Sequence, residues 1–229
     1  MNNNLAIVVT SCDSYTDDCA RPFLTLLDRY WKNHPTAYWI AETKHPAGFV
    51  AANVNEPCWT KRVRTALEKV DAEFVVFMCD DFFIRSKVNE ARIAYCVGYL
   101  ISEPNIACFN TELAYRHVYT DKYFGKAISG FGLQHKRQIY NFSCQPSIWR
   151  KSALIDCLSV IDGSAWEWEL TNEDTDYDFF LNTGGKIVDI GYEEGKPFAI
   201  TRGKWVMSDM VPLNEKERLG IDFTKREQR

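Results

Sequence analysis

Histidine is scarce, phosphate-cradling glycine loops are missing and no Cys-x-x-Cys pair occurs, and each absence removes a class of chemistry. The four histidines, His34, His45, His117 and His135, are too scattered to match a zinc spacing. Neither a P-loop nor a Gly-x-Ser-x-Gly elbow is present, which sets aside P-loop NTPases and the serine hydrolases built on that elbow. Gly130-x-Gly132 has no leading strand and no third glycine, so it is not a dinucleotide fingerprint. No apolar run reaches the roughly 18 residues of a membrane span, and membrane contact is expected to be peripheral at most. The opening Met-Asn-Asn-Asn carries no basic leader, so no signal peptide is expected. Basic charge is not in excess: 27 Lys and Arg against 31 Asp and Glu leave a net charge of -4, which argues against nucleic acid gripped through its phosphates.

What is present is a globular composition. With 229 residues, 46% of them hydrophobic and 14% aromatic, the chain can bury one large core, and a single domain over 1–229 is the simplest expectation. Its eight cysteines lie mostly inside apolar runs, which fits reduced, buried thiols in a cytoplasmic protein better than a disulfide framework. Lys216, Arg218, Lys225, Arg226 and Arg229 concentrate positive charge near the end of the sequence, read as a solvated helix or fraying tail.

Leu5 to Thr10 is a continuous apolar run of the kind that forms a strand covered on both faces, and it ends in the polar turn Ser11-Cys12-Asp13-Ser14-Tyr15. Phe23, Leu24, Leu26, Leu27, Tyr30 and Trp31 then recur at helical steps, and 38–41 reads as a second strand. An amphipathic helix from Trp59 to Val70 precedes the clearest strand, Phe74 to Met78, which delivers Cys79-Asp80-Asp81 to its end. Residues 88–101 return to helical spacing before a strand at 106–109. This alternation predicts an α/β fold: a mostly parallel, Rossmann-like sheet flanked by helices, with ligands beyond the strand C-termini. The second half reads less regularly, as an aromatic stretch at 111–140, a strand at 145–149, a helix at 150–161 and a helix at 173–183. The acids 173, 174, 176 and 178 lack the glycine and final glutamate of a calcium loop and read as a solvated helix start.

Adjacent Asp80 and Asp81 at the mouth of a hydrophobic strand repel each other and lose hydration, so a cationic partner is expected. A divalent ion, Mn²⁺ or Mg²⁺, bridging to diphosphate oxygens would supply it. Trp59-Thr60-Lys61-Arg62-Val63-Arg64-Thr65-Ala66-Leu67, followed by Glu73-Phe74-Val75-Val76-Phe77-Met78-Cys79-Asp80-Asp81-Phe82-Phe83, resembles the donor half of GT-A-type glycosyltransferases, in particular bacterial capsule and surface-polysaccharide enzymes. The opening Val8-Val9-Thr10-Ser11-Cys12-Asp13-Ser14-Tyr15 is similar to that family's first strand and nucleotide loop. The resemblance implies that Asp81, with Asp80 beside it, matches the metal-facing end of a DxD motif. Thr10, Ser11, Asp13, Tyr15, Trp59, Arg62 and Asp80 would then hold a nucleotide-sugar, a UDP-sugar by likeness. Cys79 stands where a strict DxD has its first acid.

A second constellation is Gln145 to Arg150 followed by Trp166-Glu167-Trp168-Glu169. If extended, the latter puts both tryptophans on one face, suited to packing on a pyranose, and both carboxylates on the other. The resemblance to inverting GT-A enzymes implies a general base here, Glu169 first and Glu167 in reserve, with Trp166, Trp168 and Gln145 binding the acceptor. His117 and His135 are weaker acceptor-side candidates. The expected function is transfer of a sugar from a nucleotide donor, bound by 1–110, to a saccharide or lipid-linked saccharide bound by 111–229. The setting would be surface-polysaccharide synthesis in the cytoplasm or at the inner face of the membrane. A non-catalytic carbohydrate- or nucleotide-binding module, or a sugar nucleotidyltransferase, are the alternatives.

Overall fold

The computed structural model describes residues 4–113, 123–134, 137, 139–191, 199–201 and 203–227. His117 and His135 lie outside the described residues. The strands are β1 Leu5–Thr10, β2 Ala37–Ile40, β3 Val50–Ala51, β4 Phe74–Cys79, β5 Ile106–Leu113, β6 Tyr123–Ile128, β7 Phe131–Gln134, β8 Ser147–Arg150, β9 Asp178–Asn182, β10 Ile200–Thr201 and β11 Lys204–Trp205. The helices are α1 Asp13–Tyr30, α2 Trp59–Leu67, α3 Glu90–Ser102, α4 Lys151–Leu158, α5 Ala165–Leu170 and α6 Met207–Glu217.

The expected α/β class is borne out. Nine strands form one sheet in the order β3-β2-β1-β4-β8-β5-β9-β7-β6, and helices flank it; β10 and β11 make a separate hairpin. Parallel pairing gathers at one side, where β3, β2, β1 and β4 run together, while β8 enters antiparallel between β4 and β5. Register explains where chemistry collects: Thr10 lies opposite Ile40 on one side and Cys79 on the other, so β1, β2 and β4 end at one level. The chain therefore releases Ser11, Ala41 and Asp80 into one crevice beyond the strand C-termini.

Burial follows composition. Ala6 to Val9 and Phe74 to Met78 are buried almost completely, as expected of strands covered on both faces. In α1 the buried Thr16, Cys19, Ala20, Phe23, Leu26 and Leu27 form a stripe at three- and four-residue steps that packs on the sheet. All eight cysteines are free, and Cys19, Cys96, Cys108, Cys144 and Cys157 are buried. Among the described residues no helix is long and apolar enough to cross a membrane.

Two local expectations are corrected. Residues 173–183 are not a helix: Phe179, Phe180 and Leu181 are buried in β9, between β5 and β7. The acids suggested a helix start, but the contiguous apolar run that follows needs two covered faces, which a position inside the sheet provides. The Trp166–Glu169 stretch is not extended but lies in α5, started by a capping box in which Ser164 and Glu167 bond reciprocally. Helical rotation of about 100° per residue sends Trp166 and Trp168 to different sides, so they share no platform.

Candidate active site

At the end of β4, Asp80 is only 5% exposed, and its carboxylate is held in place from β1. Ser11 Oγ donates to Asp80 Oδ2 at 2.5 Å, and the Asp80 amide donates to the Thr10 carbonyl at 3.1 Å. Thr10 is fixed in turn by Trp59, whose Nε1 donates to Thr10 Oγ1 at 3.0 Å. Asp81 is more open, and its carboxylate bonds to no other described side chain. Burial pushes both carboxyls well above the usual range. The Ser11 hydrogen bond works against the rise at Asp80, whereas the Asp80 charge and that of Glu169 add to it at Asp81. One acid is therefore built into the scaffold, and its neighbour has no side-chain partner among the described residues.

Glu169 reaches this pair from the other half of the chain. Its Oε1 accepts from the Cys144 amide at 2.7 Å and lies 3.5 Å from Ser143 Oγ, while its carbonyl accepts from the Tyr140 amide at 2.7 Å. Tyr140 makes that bond from a left-handed backbone, φ 66°, a conformation that costs about 1–3 kcal/mol and persists only where surrounding contacts impose it. Burial raises the Glu169 carboxyl, and the Cys144 and Ser143 bonds partly restrain the rise. A carboxyl tuned upward and oriented by two loop residues suits a proton acceptor.

The remaining expected residues are distributed unevenly. Asp13 Oδ1 accepts from the Thr43 and Lys44 amides, both at 2.9 Å, and Oδ2 from Thr43 Oγ1 at 2.5 Å, so it pins the loop after β2. Its burial raises the carboxyl, but the Thr43 and Lys44 bonds and the Lys44 charge outweigh that and bring it to about 2. Arg62 is buried in an ion pair with Glu42, and Glu42 Oε2 also accepts from the Asp13 amide at 2.7 Å. Arg62 thus acts as a brace between α2 and the loop after β2, with a buried Nε that has no partner among the described residues. Tyr15 is half-buried beneath the guanidinium of Arg226, 4.0 Å from its ring centroid.

On the acceptor side, Trp168 is fully buried. Its ring stacks on Phe142 with centroids 5.4 Å apart, lies 5.6 Å from Trp59 and donates Nε1 to the Cys157 carbonyl at 3.0 Å, so it has no open face for a sugar. Trp166 is 63% exposed and available. Glu167 is occupied as a helix cap: Ser164 donates to its Oε2, and those bonds hold its carboxyl low. The Gln145 amide donates to Ser143 Oγ at 3.1 Å, in the loop that holds Glu169.

The sequence reading passed over two contributors. Glu42 follows the buried run of β2 just as Asp13 and Asp80 follow β1 and β4, so an acid shortly after each of these three strands is the available signal. Arg226 gave no local signal; it sits in crystal-clear opposition to its expected solvated state, 10% exposed and bonded to Asp18 across 208 positions of sequence.

Among the described residues, no group of three or more His, Cys, Asp and Glu side chains is arranged to enclose a metal. An ion shared with a diphosphate needs only one or two protein carboxylates, and Asp81 with Asp80 fits that smaller demand. A cavity of about 710 Å³ opens at the opposite end of the strands, between Trp31, Tyr38, Ile93, Val97 and Ile101. It is remote from the acidic pair.

No family model and no curated protein matches the chain. Solved structures similar to it include residues 1–349 of S. aureus TarS, at 13% identity over 79% of this chain and 60% of that one, TM-score 0.46. The bifunctional IspDF from Campylobacter jejuni is similar at 12% identity over 72% of this chain and 46% of that one, TM-score 0.41. Glucosyl-3-phosphoglycerate synthase from Mycobacterium tuberculosis is similar at 11% identity over 65% and 57%, TM-score 0.37. The chain spans less than two thirds of the length of each of these three.

Proposed function

We propose that this chain is a GT-A-type glycosyltransferase that moves a sugar from a nucleotide-diphosphate donor to a hydroxyl of a saccharide acceptor, with inversion, in the synthesis of a surface polysaccharide. The observation that carries the reading is the meeting of three carboxylates from two halves of the chain: Asp80 fixed by Ser11, Asp81 open beside it, and Glu169 close enough to raise the Asp81 carboxyl. The donor lies along Ser11 to Tyr15 and Asp80-Asp81, and the acceptor approaches from the side of Trp166 and Gln145.

Glu169 takes the proton of the acceptor hydroxyl as its oxygen attacks the anomeric carbon; the bond from that carbon to the diphosphate oxygen breaks, and the configuration inverts. A divalent ion held by Asp81 and Asp80 would neutralise the departing diphosphate. A nucleotidyltransferase fits less well, because Ser11-Cys12-Asp13-Ser14 offers side-chain anchors in place of a Gly-rich loop of free amides.

A thermal-shift screen with UDP, GDP, CMP, TDP and ADP, each with and without Mn²⁺, tests this. One nucleotide is expected to raise Tm only with Mn²⁺, since a ligand at 100 times its Kd stabilises the native state by about 2.7 kcal/mol. Asp81→Asn should abolish that shift. If no nucleotide raises Tm in either condition, the transferase reading is wrong.

A further inference from the structure

Residues 203–227 grip α1 at both ends. Far from the crevice, Glu217 at the end of α6 accepts hydrogen bonds from Arg29 and, at 2.6 Å, from Tyr30 in the last turn of α1. At the crevice, Arg226 Nε and Nη2 donate to Asp18 Oδ2 at 3.2 and 2.9 Å, Nη2 to the Ser14 carbonyl at 3.2 Å and Nη1 to the Gly203 carbonyl at 3.2 Å. Gly203 adopts φ +78°, a left-handed turn in the β10–β11 hairpin that presents this carbonyl, and the Trp205 amide donates to the Glu227 carbonyl at 2.9 Å to close the clasp. The two grips lie 11 to 16 residues apart along α1, from Asp18 to Arg29 and from Ser14 to Tyr30, about 17–24 Å.

The near grip ends on Tyr15. Its ring lies 4.0 Å below the Arg226 guanidinium and belongs to the same turn that follows Ser11, the residue bonded to Asp80. A planar guanidinium stacked on an aromatic ring, with its fork committed to a carboxylate and two carbonyls, fixes both the ring's height and its tilt.

We propose that Arg226 is a positioning residue for the donor: by clamping Tyr15 at the mouth of the crevice it sets the aromatic platform against which the nucleoside packs. The inference rests on the nucleotide-sugar reading above. Arg226 touches no reacting atom; it acts through Tyr15. Lysine cannot replace it, because an ammonium keeps the charge but lacks the plane and the fork.

The test measures Kd by calorimetry with Mn²⁺ and whichever of UDP, GDP, CMP, TDP and ADP stabilises the wild type. Arg226→Ala and Arg226→Lys should each weaken binding about tenfold, equivalent to about 1.4 kcal/mol. In a Tyr15→Leu background, Arg226→Ala should cost nothing further, since a residue acting through Tyr15 has no effect once that ring is gone. Glu217→Gln, which loosens only the far grip, should lower Tm and leave Kd unchanged. An unchanged Kd in Arg226→Lys, or additive losses in the double variant, overturns the proposal, and the Lys variant decides the matter if the Ala variant does not fold. Failure of the wild type to bind any of the five nucleotides sinks the transferase reading and the donor role together. Normal wild-type binding that both Arg226 variants share sinks the role of Arg226 alone.

Discussion

Residues 5–110 and residues 111–227 build one sheet, but they deliver side chains to the crevice by different routes. In the first half, Ser11 and Asp80 emerge directly from the C-terminal ends of parallel strands whose register sets them level, and Glu42 follows one residue beyond that level after β2. In the second half, Glu169 is carried on the six-residue α5 and aimed by the loop around Tyr140 and Cys144. A position set by sheet register is rigid by construction. One set by a short helix and a loop depends on the core beneath it, here Trp168 and Phe142.

The comparison can be broken most severely at Glu169. Glu169→Gln keeps the size of the side chain and its bond from Cys144 but removes the proton acceptor, so turnover should fall by about 10²–10⁴ with nucleotide affinity intact. A variant that keeps wild-type kcat would show that the loop-borne carboxylate is only structural. Trp168→Ala should cost about 3–5 kcal/mol in chemical denaturation, because it opens a cavity between Trp59, Phe77, Phe142 and Trp149 and removes one of the donors to the Cys157 carbonyl. A loss below about 1 kcal/mol would mean that α5 does not rest on this core.

Glu217 sharpens the contrast through pH. Burial alone would raise its carboxyl, but the bonds from Tyr30, Arg29 and Lys216 bring it down to about 2. A depressed folded-state value means stability that is present above the unfolded pKa, near 4.3, and is lost as pH falls towards 2. Glu217→Gln should therefore lower stability at neutral pH by about 1–2 kcal/mol, given that Arg29 remains solvated, and flatten the acid limb of the urea-midpoint profile between those values. An unchanged acid limb would count against the far grip. The smallest effect is expected at the exposed Trp166: Trp166→Ala should leave stability within about 0.5 kcal/mol and raise only the KM for the acceptor.

The first half was legible because its signals are local. A buried apolar run followed within three residues by an acid needs no knowledge of the rest of the chain, and Leu5 to Asp13 and Phe74 to Asp81 both have that form. The second half hides its logic in long-range contacts. Nothing near Trp168 says that Phe142 and Trp59 will enclose it while Trp166, two residues earlier, stays exposed. The 173–183 stretch misleads for a related reason, since its acids speak for a helix start while a place between β5 and β9's other neighbour, β7, is decided by pairing elsewhere. Arg226 is the extreme case, because its meaning depends on a residue 208 positions away.

The indole of Trp59, hydrogen-bonded to Thr10 at the rim of the crevice, lies 5.6 Å from Trp168, and Trp168 lies 6.2 Å from Trp149. Chromophores this close couple through their strongest transition, so the far-ultraviolet circular dichroism of these indoles should carry an exciton couplet. Any movement at the mouth of the crevice that tilts Trp59 would reshape that couplet, giving the protein an optical signal of occupancy without a label.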